Sequence, residues 1–303
     1  MMNKTKGLDP IVTTVAYPCE ATALEGPLDA AKENLIVPIL IGPEKTIREL
    51  AEQHGLDLTG VQIEDVESAT ESAARAVELV RTGTAEAVMK GSLHTDILIT
   101  AIVSGEKGLR MPGRRISHAF VMDVPTYNRP LIISDGAINI APDLKTKRDI
   151  VQNAIELAHA MGIELPKVAV LAAVEMVNPD MQATLDAAAL CKMMDRKQIT
   201  GGIIDGPLAF DNAISREAAE TKKIDSPVAG DADILIAPDL ESGNMLVKQL
   251  IYLAQADAAG IVLGARAPVI LTSRADGVRT RMASCAVAVL KAHHHRTAKV
   301  EVH

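Results

Sequence analysis

The feature that most constrains the fold is an alternation of short apolar runs with alanine-rich stretches of helical period, which continues over nearly the whole chain. β-Branched residues are frequent in the runs, which is typical of buried strands. Strands that alternate with helices favour a parallel sheet, and uniformly apolar strands require helices on both faces. We therefore predict an α/β fold with mainly parallel sheets. The predicted strands are residues 11–16, 35–41, 87–89, 131–134, 168–174, 202–205, 234–237, 261–264 and 269–273, and predicted helices include residues 69–81, 148–160, 182–194 and 245–256.

The length of the chain predicts two domains, because 303 residues are long for one hydrophobic core. The turn-rich, charged residues 141–147 offer the best boundary. We expect a discontinuous first domain of residues 1–147 plus 264–303, and a second domain of residues 148–263. A ligand cleft between the domains would follow from this arrangement.

Charge and cysteine content exclude several classes of function. The net charge of −8 disfavours nucleic-acid binding, because a phosphate backbone would be repelled. The first ten residues lack the apolar core of a signal peptide, and no apolar run reaches the length needed to span a membrane. Three widely spaced cysteines are typical of reduced thiols. We expect a cytoplasmic protein without a membrane partner.

The segment of residues 268–277 combines an apolar run with three chemically useful side chains. Ser273 can donate a hydrogen bond, Arg274 can bind an anion and Asp276 can act as a base. The carboxyl end of a buried strand just before a helix is where α/β sheets bind ligands. The pattern favours acyl or phosphoryl chemistry, although Ser273 and Asp276 could also serve as ordinary helix caps.

Other strand-end turns offer further anion-binding candidates. Lys90 and Gly91 follow one predicted strand and could contact a phosphate group. Ser242, Gly243 and Asn244 precede the predicted helix 245–256, whose amino terminus would favour an anion, although a plain turn is the more common explanation of such a segment.

A basic turn contains Arg115, one of three arginines within six residues, which forms the best local anion attractor in an acidic chain. Four acids, Asp205, Asp211, Asp231 and Asp233, could hold a divalent metal in principle, but the last two more simply precede a strand, so we expect no metal site. The chain has neither a Gly-x-x-x-x-Gly-Lys-Ser/Thr loop nor a Gly-x-Gly-x-x-Gly turn after the first strand. This disfavours nucleotide triphosphatases and simple dinucleotide-binding enzymes.

Seven ordered segments together resemble the phosphate acetyltransferase/butyryltransferase family, over about residues 15 to 292. They are residues 89–91, 115–120, 173–179, 205–213, 226–233, 238–244 and 268–276. The resemblance implies two αβα domains related to the isocitrate and isopropylmalate dehydrogenases, a cleft between the domains and a homodimer. It also implies reversible acyl transfer between coenzyme A and inorganic phosphate, with coenzyme A as a substrate and no permanently bound cofactor.

In detail the chain is more similar to the butyryl branch. Thr-Ser-Arg-Ala-Asp at residues 272–276 stands where acetyl enzymes have Asn-Asp-Leu-Ser-Arg-Gly, and Pro207 replaces an acidic residue. The resemblance carries the family's Ser-Arg pair onto Ser273 and Arg274, and a further arginine onto Arg115.

The mechanism expected from the resemblance is direct attack of the coenzyme A thiolate on an acyl phosphate in a ternary complex. Asp276 would take the thiol proton, Ser273 would stabilise the oxyanion, and Arg274 with Arg115 would hold the phosphoryl group. Two alternatives remain open at this point. One is a metal- and NAD-dependent decarboxylating dehydrogenase of related fold, and the other is a non-catalytic protein that binds coenzyme A or acyl phosphate.

Overall fold

The computed structural model describes residues 2–272 and 276–300, with side chains described as far as residue 297. The strands are β1 (Ile11–Ala16), β2 (Ile36–Gly42), β3 (Gln62–Asp65), β4 (Ala87–Lys90), β5 (Ser117–Asp123), β6 (Leu131–Ser134), β7 (Lys167–Leu171), β8 (Ile203–Leu208), β9 (Ile234–Ile236), β10 (Asp257–Leu263) and β11 (Val269–Ile270). The helices are α1 (Ala21–Lys32), α2 (Glu44–His54), α3 (Ala69–Arg81), α4 (Thr95–Val103), α5 (Leu144–Ala160), α6 (Gln182–Asp195), α7 (Phe210–Ile214), α8 (Arg216–Thr221), α9 (Leu240–Leu253) and α10 (Val278–Val300). A 3₁₀ turn, Met2–Lys4, precedes them.

The chain divides into two units, of which the first comprises Met1–Arg114 with Ala259–His303 and the second comprises Arg115–Ala258. These limits differ from the predicted ones, because the position between residues 147 and 148 lies inside the continuous helix α5. Asp143 caps that helix, and its side chain accepts a hydrogen bond from the Thr146 amide at 2.8 Å. The residue types that form turns also cap helices, so the same charged segment can be read either way.

The sheet of the first unit has the strand order β3-β2-β1-β4-β11-β10. All of its pairs are parallel except the antiparallel pair of β10 and β11. Its core consists of aliphatic side chains from the central strands, including the fully buried Val15, Leu40, Val88 and Ile270. The predicted class, an α/β fold with mainly parallel pairing, is confirmed in this unit.

The sheet of the second unit has the order β5-β6-β9-β7-β8. The pair of β5 and β6 is antiparallel, and the remaining pairs are parallel. Its core contains Met122, Ile133, Leu208 and Leu235, with Val247 of α9 packed in the same cluster. Because β6 pairs with both β5 and β9, residues 117–134 belong to the second unit and not to the predicted first domain.

Two strands, β3 and β5, were not predicted from the sequence. β3 reads Gln-Ile-Glu-Asp and is largely accessible at the sheet edge, so it lacks the apolar signature. β5 begins with a buried serine and a buried histidine, Ser117 and His118, and these polar residues interrupt the apolar run by which strands were recognised.

Capping residues mark the starts of several helices. The observed α3 matches the predicted residues 69–81, and Ser68 with Glu71 forms a complete capping box at its start. The prediction for α9 was wrong at its start, because the helix begins at Leu240 and not at residue 245. Asp239 is its cap, so Ser242, Gly243 and Asn244 lie within the helix.

Candidate functional site

Parallel pairing places the carboxyl ends of β1, β4 and β11 at the same edge of the first unit's sheet. Ala16 is aligned with Lys90, and Met89 is aligned with Ile270. The segments that follow these strands therefore emerge side by side, including Thr272 after β11. Ligands of open α/β sheets bind at this edge.

Gly91 follows β4 at the point where the chain contacts the end of β1. Its amide donates to the Ala16 carbonyl at 2.9 Å, and the Ser92 amide donates to the Tyr17 carbonyl at 2.9 Å. A Cβ atom at residue 91 would lie 2.4 Å from the Ala16 oxygen and 2.5 Å from the Tyr17 oxygen. Only glycine fits here, so the turn that carries Lys90 depends on this close approach of two strand ends.

A small cavity of about 10 Å³ lies beside this turn, and its lining includes Lys90, Gly91, Thr272, Arg281 and Glu20. Lys90 and Arg281 are each only 6% exposed, and the Lys90 Nζ donates to the Gly91 carbonyl at 3.2 Å. The volume suits about one water molecule. Two buried cations beside one carboxylate give this edge a positive potential, which favours an anion.

Arg281 was missed by the sequence reasoning. It lies in the first turn of α10, and its guanidinium donates to the Thr22 carbonyl. Gly26 makes room for it, because a Cβ there would lie 2.9 Å from the Arg281 Cδ. In the sequence, Arg281 is marked only by its position shortly after Asp276, and an arginine there is typical of any exposed helix.

Two of the predicted catalytic residues, Ser273 and Arg274, lie outside the described residues. Thr272, which precedes them, lines the cavity. Asp276, which follows them, is partly exposed and stands two residues before the start of α10 at Val278. The roles of Ser273 and Arg274 stay predictions.

Arg115 lies at the start of the second unit, and its side chain is exposed. Its amide donates to the Asp149 carboxylate at 3.0 Å, and its carbonyl accepts from the Asn153 side chain at 3.0 Å. Hydrogen bonds from Thr146 lower the pKa of the Asp143 carboxyl, and the charge of Arg115 adds to this effect. The backbone of Arg115 is thus held by α5, and its guanidinium remains accessible.

A loop of residues 135–140, which we call the buried-aspartate loop, carries a second group that the sequence reasoning missed. The Asp135 carboxylate is 2% exposed and accepts hydrogen bonds from the amides of His118, Ala137, Ile138 and Asn139, at 3.0–3.2 Å. Several amide donors around one buried carboxylate fix the conformation of the loop. No sequence motif marked this aspartate.

Of the predicted residues Ser242, Gly243 and Asn244, the last two pack against the buried-aspartate loop. The Ser242 amide and hydroxyl both donate to the Asp239 carboxylate at 2.8 Å. A Cβ on Gly243 would lie 2.5 Å from a loop carbonyl oxygen, and the Asn244 side chain donates to another loop carbonyl at 3.0 Å. The start of α9 is therefore already capped by a carboxylate, and a phosphate group bound there would have to replace it.

The structure brings the Arg115 segment and the start of α9 into contact with the same loop. The Asn139 side chain donates to the Ile116 carbonyl at 2.9 Å, and the Leu240 amide donates to the Ile140 carbonyl at 3.1 Å. Asn139 and Ile140 are neighbours in the loop, so it connects the two segments directly.

The cysteines are poor candidates for a covalent intermediate. Burial raises the pKa of Cys19 to about 11, and it raises the pKa of Cys191 and Cys285 to about 12. The thiolate is the nucleophilic form, so these thiols are held in the unreactive form near neutral pH.

Three of the four acids considered as metal ligands, Asp211, Asp231 and Asp233, form ion pairs, whereas Asp205 accepts a hydrogen bond from the Gly206 amide at 2.8 Å. Asp231 accepts hydrogen bonds from Lys167 and Arg129, and the bond from Lys167 is the main reason that its pKa is lowered. Asp211 pairs with Lys222 at 3.2 Å. Among residues 2–272 and 276–300, no three or more His, Cys, Asp or Glu side chains are grouped to hold a metal ion.

None of the described helices is both long and apolar enough to cross a membrane.

Comparisons with known proteins show which family the chain resembles. A family model described as "Phosphate acetyl/butaryl transferase" matches residues 67–289. The phosphate acetyltransferase of Rhizobium meliloti is 58% identical over 96% of this chain and 92% of that protein. The phosphate butyryltransferase of Clostridium acetobutylicum is 43% identical over 96% of each chain. The structure of a branched-chain phosphotransacylase from Enterococcus faecalis V583 superimposes with a TM-score of 0.81 at 30% identity, over 94% of this chain and 100% of that one.

Proposed function

The chain belongs to the phosphate acetyl/butyryl transferase family, and we propose that it catalyses reversible acyl transfer between coenzyme A and inorganic phosphate. The observation that carries this conclusion is the likeness, over nearly the whole chain, to enzymes named for that reaction. Acyl-CoA and phosphate are then the substrates in one direction, and acyl phosphate and coenzyme A in the other. The reaction itself needs no electron transfer.

Family membership favours this function over both alternatives. A decarboxylating dehydrogenase would need a divalent metal, and three of the four acids considered for one, Asp211, Asp231 and Asp233, are paired with lysine or arginine side chains. A binding protein without turnover would need to have lost the reaction that its relatives' names describe. The assay below distinguishes all three.

Lys90, Gly91 and Arg281 are proposed to form an anion subsite for the phosphate group. The burial of both cations beside the carboxyl edge of β4 supports this proposal. Arginine offers a planar fork of donors to phosphate, whereas lysine acts as a point charge. Ser273 and Arg274 follow Thr272 directly in the chain, so the proposal retains them as the oxyanion donor and the phosphate clamp.

The proposed chemistry begins with deprotonation of the coenzyme A thiol. A thiol with a pKa of about 8.5 is only a few per cent ionised at neutral pH, so a base is needed. Asp276 is proposed to accept the proton. The thiolate then forms a bond to the acyl carbonyl carbon, and phosphate leaves with the electrons of the broken carbon–oxygen bond. The raised pKa values of the three cysteines support direct transfer without an acyl-cysteine intermediate.

Arg115 and the start of α9 are proposed as substrate-binding elements of the second unit. The accessible guanidinium of Arg115 supports a role in binding a phosphate group. Ser242, Gly243 and Asn244 are proposed to bind substrate together with the buried-aspartate loop, whose backbone Gly243 and Asn244 contact.

The finer properties are part of the same proposal. We expect acyl chains from acetyl to butyryl, a homodimer, a cytoplasmic location and no permanently bound cofactor. The names of the relatives include both acetyl and butyryl enzymes, which supports a range of short acyl chains.

The test measures thiol release from acetyl-CoA, propionyl-CoA and butyryl-CoA, each with and without phosphate. Phosphate-dependent release from at least one of them is expected, with no absorbance change when NAD, a divalent metal and a hydroxy acid such as isocitrate or isopropylmalate are supplied instead. A protein that binds these thioesters without releasing thiol would refute the proposed reaction.

Variants test the assigned residues. Lys90→Ala should raise the KM for phosphate by about tenfold or more, because a hydrogen bond to a charged group contributes about 1.5–3 kcal/mol. Lys45→Ala is the matched control, since that lysine is exposed on α2 and its nearest carboxylate is 3.9 Å away.

Arg274→Ala should lower turnover by orders of magnitude, and near-normal turnover would remove Arg274 from the mechanism. An unchanged rate and pH profile in Asp276→Asn would place the base elsewhere.

A further inference from the structure

A second pocket lies within the first unit, away from the subsite of Lys90 and Arg281. Its volume is about 380 Å³, and its lining includes Glu86, Pro268 and Arg296. Glu86 and Pro268 immediately precede β4 and β11, so this pocket is at the amino edge of those strands. Lys90 is at the opposite, carboxyl end of β4. The two sites are therefore distinct, and a volume of this size is within the range of small-molecule sites, about 300–1,000 Å³.

Part of the lining of this pocket is apolar. Val80, Leu109, Ala267 and Ala292 line it, and all four are buried. Such a surface favours contact with a hydrocarbon or ring rather than with a bare, fully hydrated ion.

The rim of the pocket is cationic. Arg81, Arg266 and Arg296 line it, together with the carboxylate of Glu86. Arg296 forms a bidentate ion pair with Glu86, with Nε–Oε1 and Nη2–Oε2 distances of 2.7 and 2.6 Å. In the described part of the chain, the side chains of Arg81 and Arg266 form no salt bridge or hydrogen bond. Two arginines thus remain available to a ligand in a protein whose net charge is −8.

We infer that this pocket binds a small organic phosphate. Guanidinium groups match phosphate oxygens in geometry and charge, and the rim carries more cations than the single carboxylate neutralises. The apolar part of the lining would contact the organic part of the ligand. Because Arg81 lies in the last turn of α3, it also stabilises the helix terminus, and the experiment separates that effect from binding.

The experiment titrates the full chain with AMP and, separately, with glucose 6-phosphate in a calorimeter at low ionic strength. Saturable binding of at least one probe is expected, with a Kd of about 1 mM or lower. Adenosine and inorganic phosphate should each bind at least about tenfold more weakly than AMP, because each lacks one half of the contacts. Raised salt should weaken the binding.

Variants show whether the heat of ligand binding arises at this pocket. The double variant Arg81→Ala/Arg266→Ala should weaken binding by about tenfold or more while acyl transfer keeps its kcat and KM. Lys90→Ala should leave this binding unchanged, which separates the pocket from any nucleotide bound at the reaction site. Arg48→Ala is the matched control, because Arg48 is an exposed arginine on α2.

Two results would overturn the inference. One is the absence of saturable binding with both probes at concentrations of about 10 mM. The other is unchanged binding in the double variant, provided that its melting temperature shows it to be folded. Both results are independent of whether the chain transfers acyl groups, so a failure here and a failure of the proposed function are distinguishable.

Discussion

Replacement of Gly91 by alanine tests the close contact of β1 and β4 on which the candidate site is built. The added Cβ would lie 2.4 Å from the Ala16 oxygen and 2.5 Å from the Tyr17 oxygen. Both are backbone atoms at the end of a central strand, and Ala16 is fully buried. The clash can be relieved only if the two strand ends separate. Separation breaks the two 2.9 Å hydrogen bonds donated by Gly91 and Ser92.

The size of the effect follows from these contacts. Overpacking in a tight interior costs about 1–3 kcal/mol, and each of two hydrogen bonds contributes about 1 kcal/mol. The lower entropy of the unfolded alanine chain returns about 0.4–1 kcal/mol. We expect Gly91→Ala to lower the free energy of unfolding by about 2–4 kcal/mol. For a unit of this size, that corresponds to a melting temperature lower by about 5–15 °C.

The assay is thermal and urea unfolding of Gly91→Ala and of a matched control, Gly105→Ala. A Cβ at Gly105 meets nothing within 4 Å, so the control should change stability by less than about 1 kcal/mol. If Gly91→Ala unfolds at the same temperature as the control, the close approach of the strand ends does not restrict residue 91, and the reasoning is refuted.

Three further predictions concern other parts of the chain. Ser68→Ala should lower the free energy of unfolding by about 1 kcal/mol, because it removes the capping box of α3, and urea unfolding that shows no loss would contradict this. The folded-state pKa of Asp231 is lowered mainly by its hydrogen bond from Lys167, so its stabilising effect should be present above about pH 4 and lost as the pH falls further. The stability difference between the wild type and Asp231→Asn should therefore shrink between pH 6 and pH 3, and a constant difference would contradict the assignment. Replacing all three cysteines by alanine should preserve acyl transfer, since their raised pKa values keep them protonated, and an inactive but folded variant would favour an acyl-cysteine route.

Much of the fold could be predicted because its signals are local. The residues of β1, β6 and α3 carry their pattern within a single segment, and the structure has them at the predicted positions. Where polar residues interrupt the pattern, the prediction failed, as in β5 with its buried Ser117 and His118. Burial of a polar side chain depends on partners elsewhere in the chain, which a local pattern does not contain.

The helix caps show why boundaries were less predictable than elements. Asp143 and Asp239 both begin helices that were predicted to start four or more residues later. Aspartate serves equally in turns and as a helix cap, and only the amide that its carboxylate accepts from decides between them. For Asp239 this difference affects the predicted site, because its carboxylate occupies the helix end that was predicted to bind an anion.

The sequence by itself determined the alternation of strands and helices, the family, and the candidate residues that follow strands, such as Lys90 and Gly91. Tertiary structure decided which distant groups join them. Arg281 shares a cavity with Lys90 although the two are far apart in the chain, and it fits there because Gly26 has no side chain. Periodicity and propensity act over a few residues, whereas burial and charge clustering arise only when the packed sheet brings separate segments together.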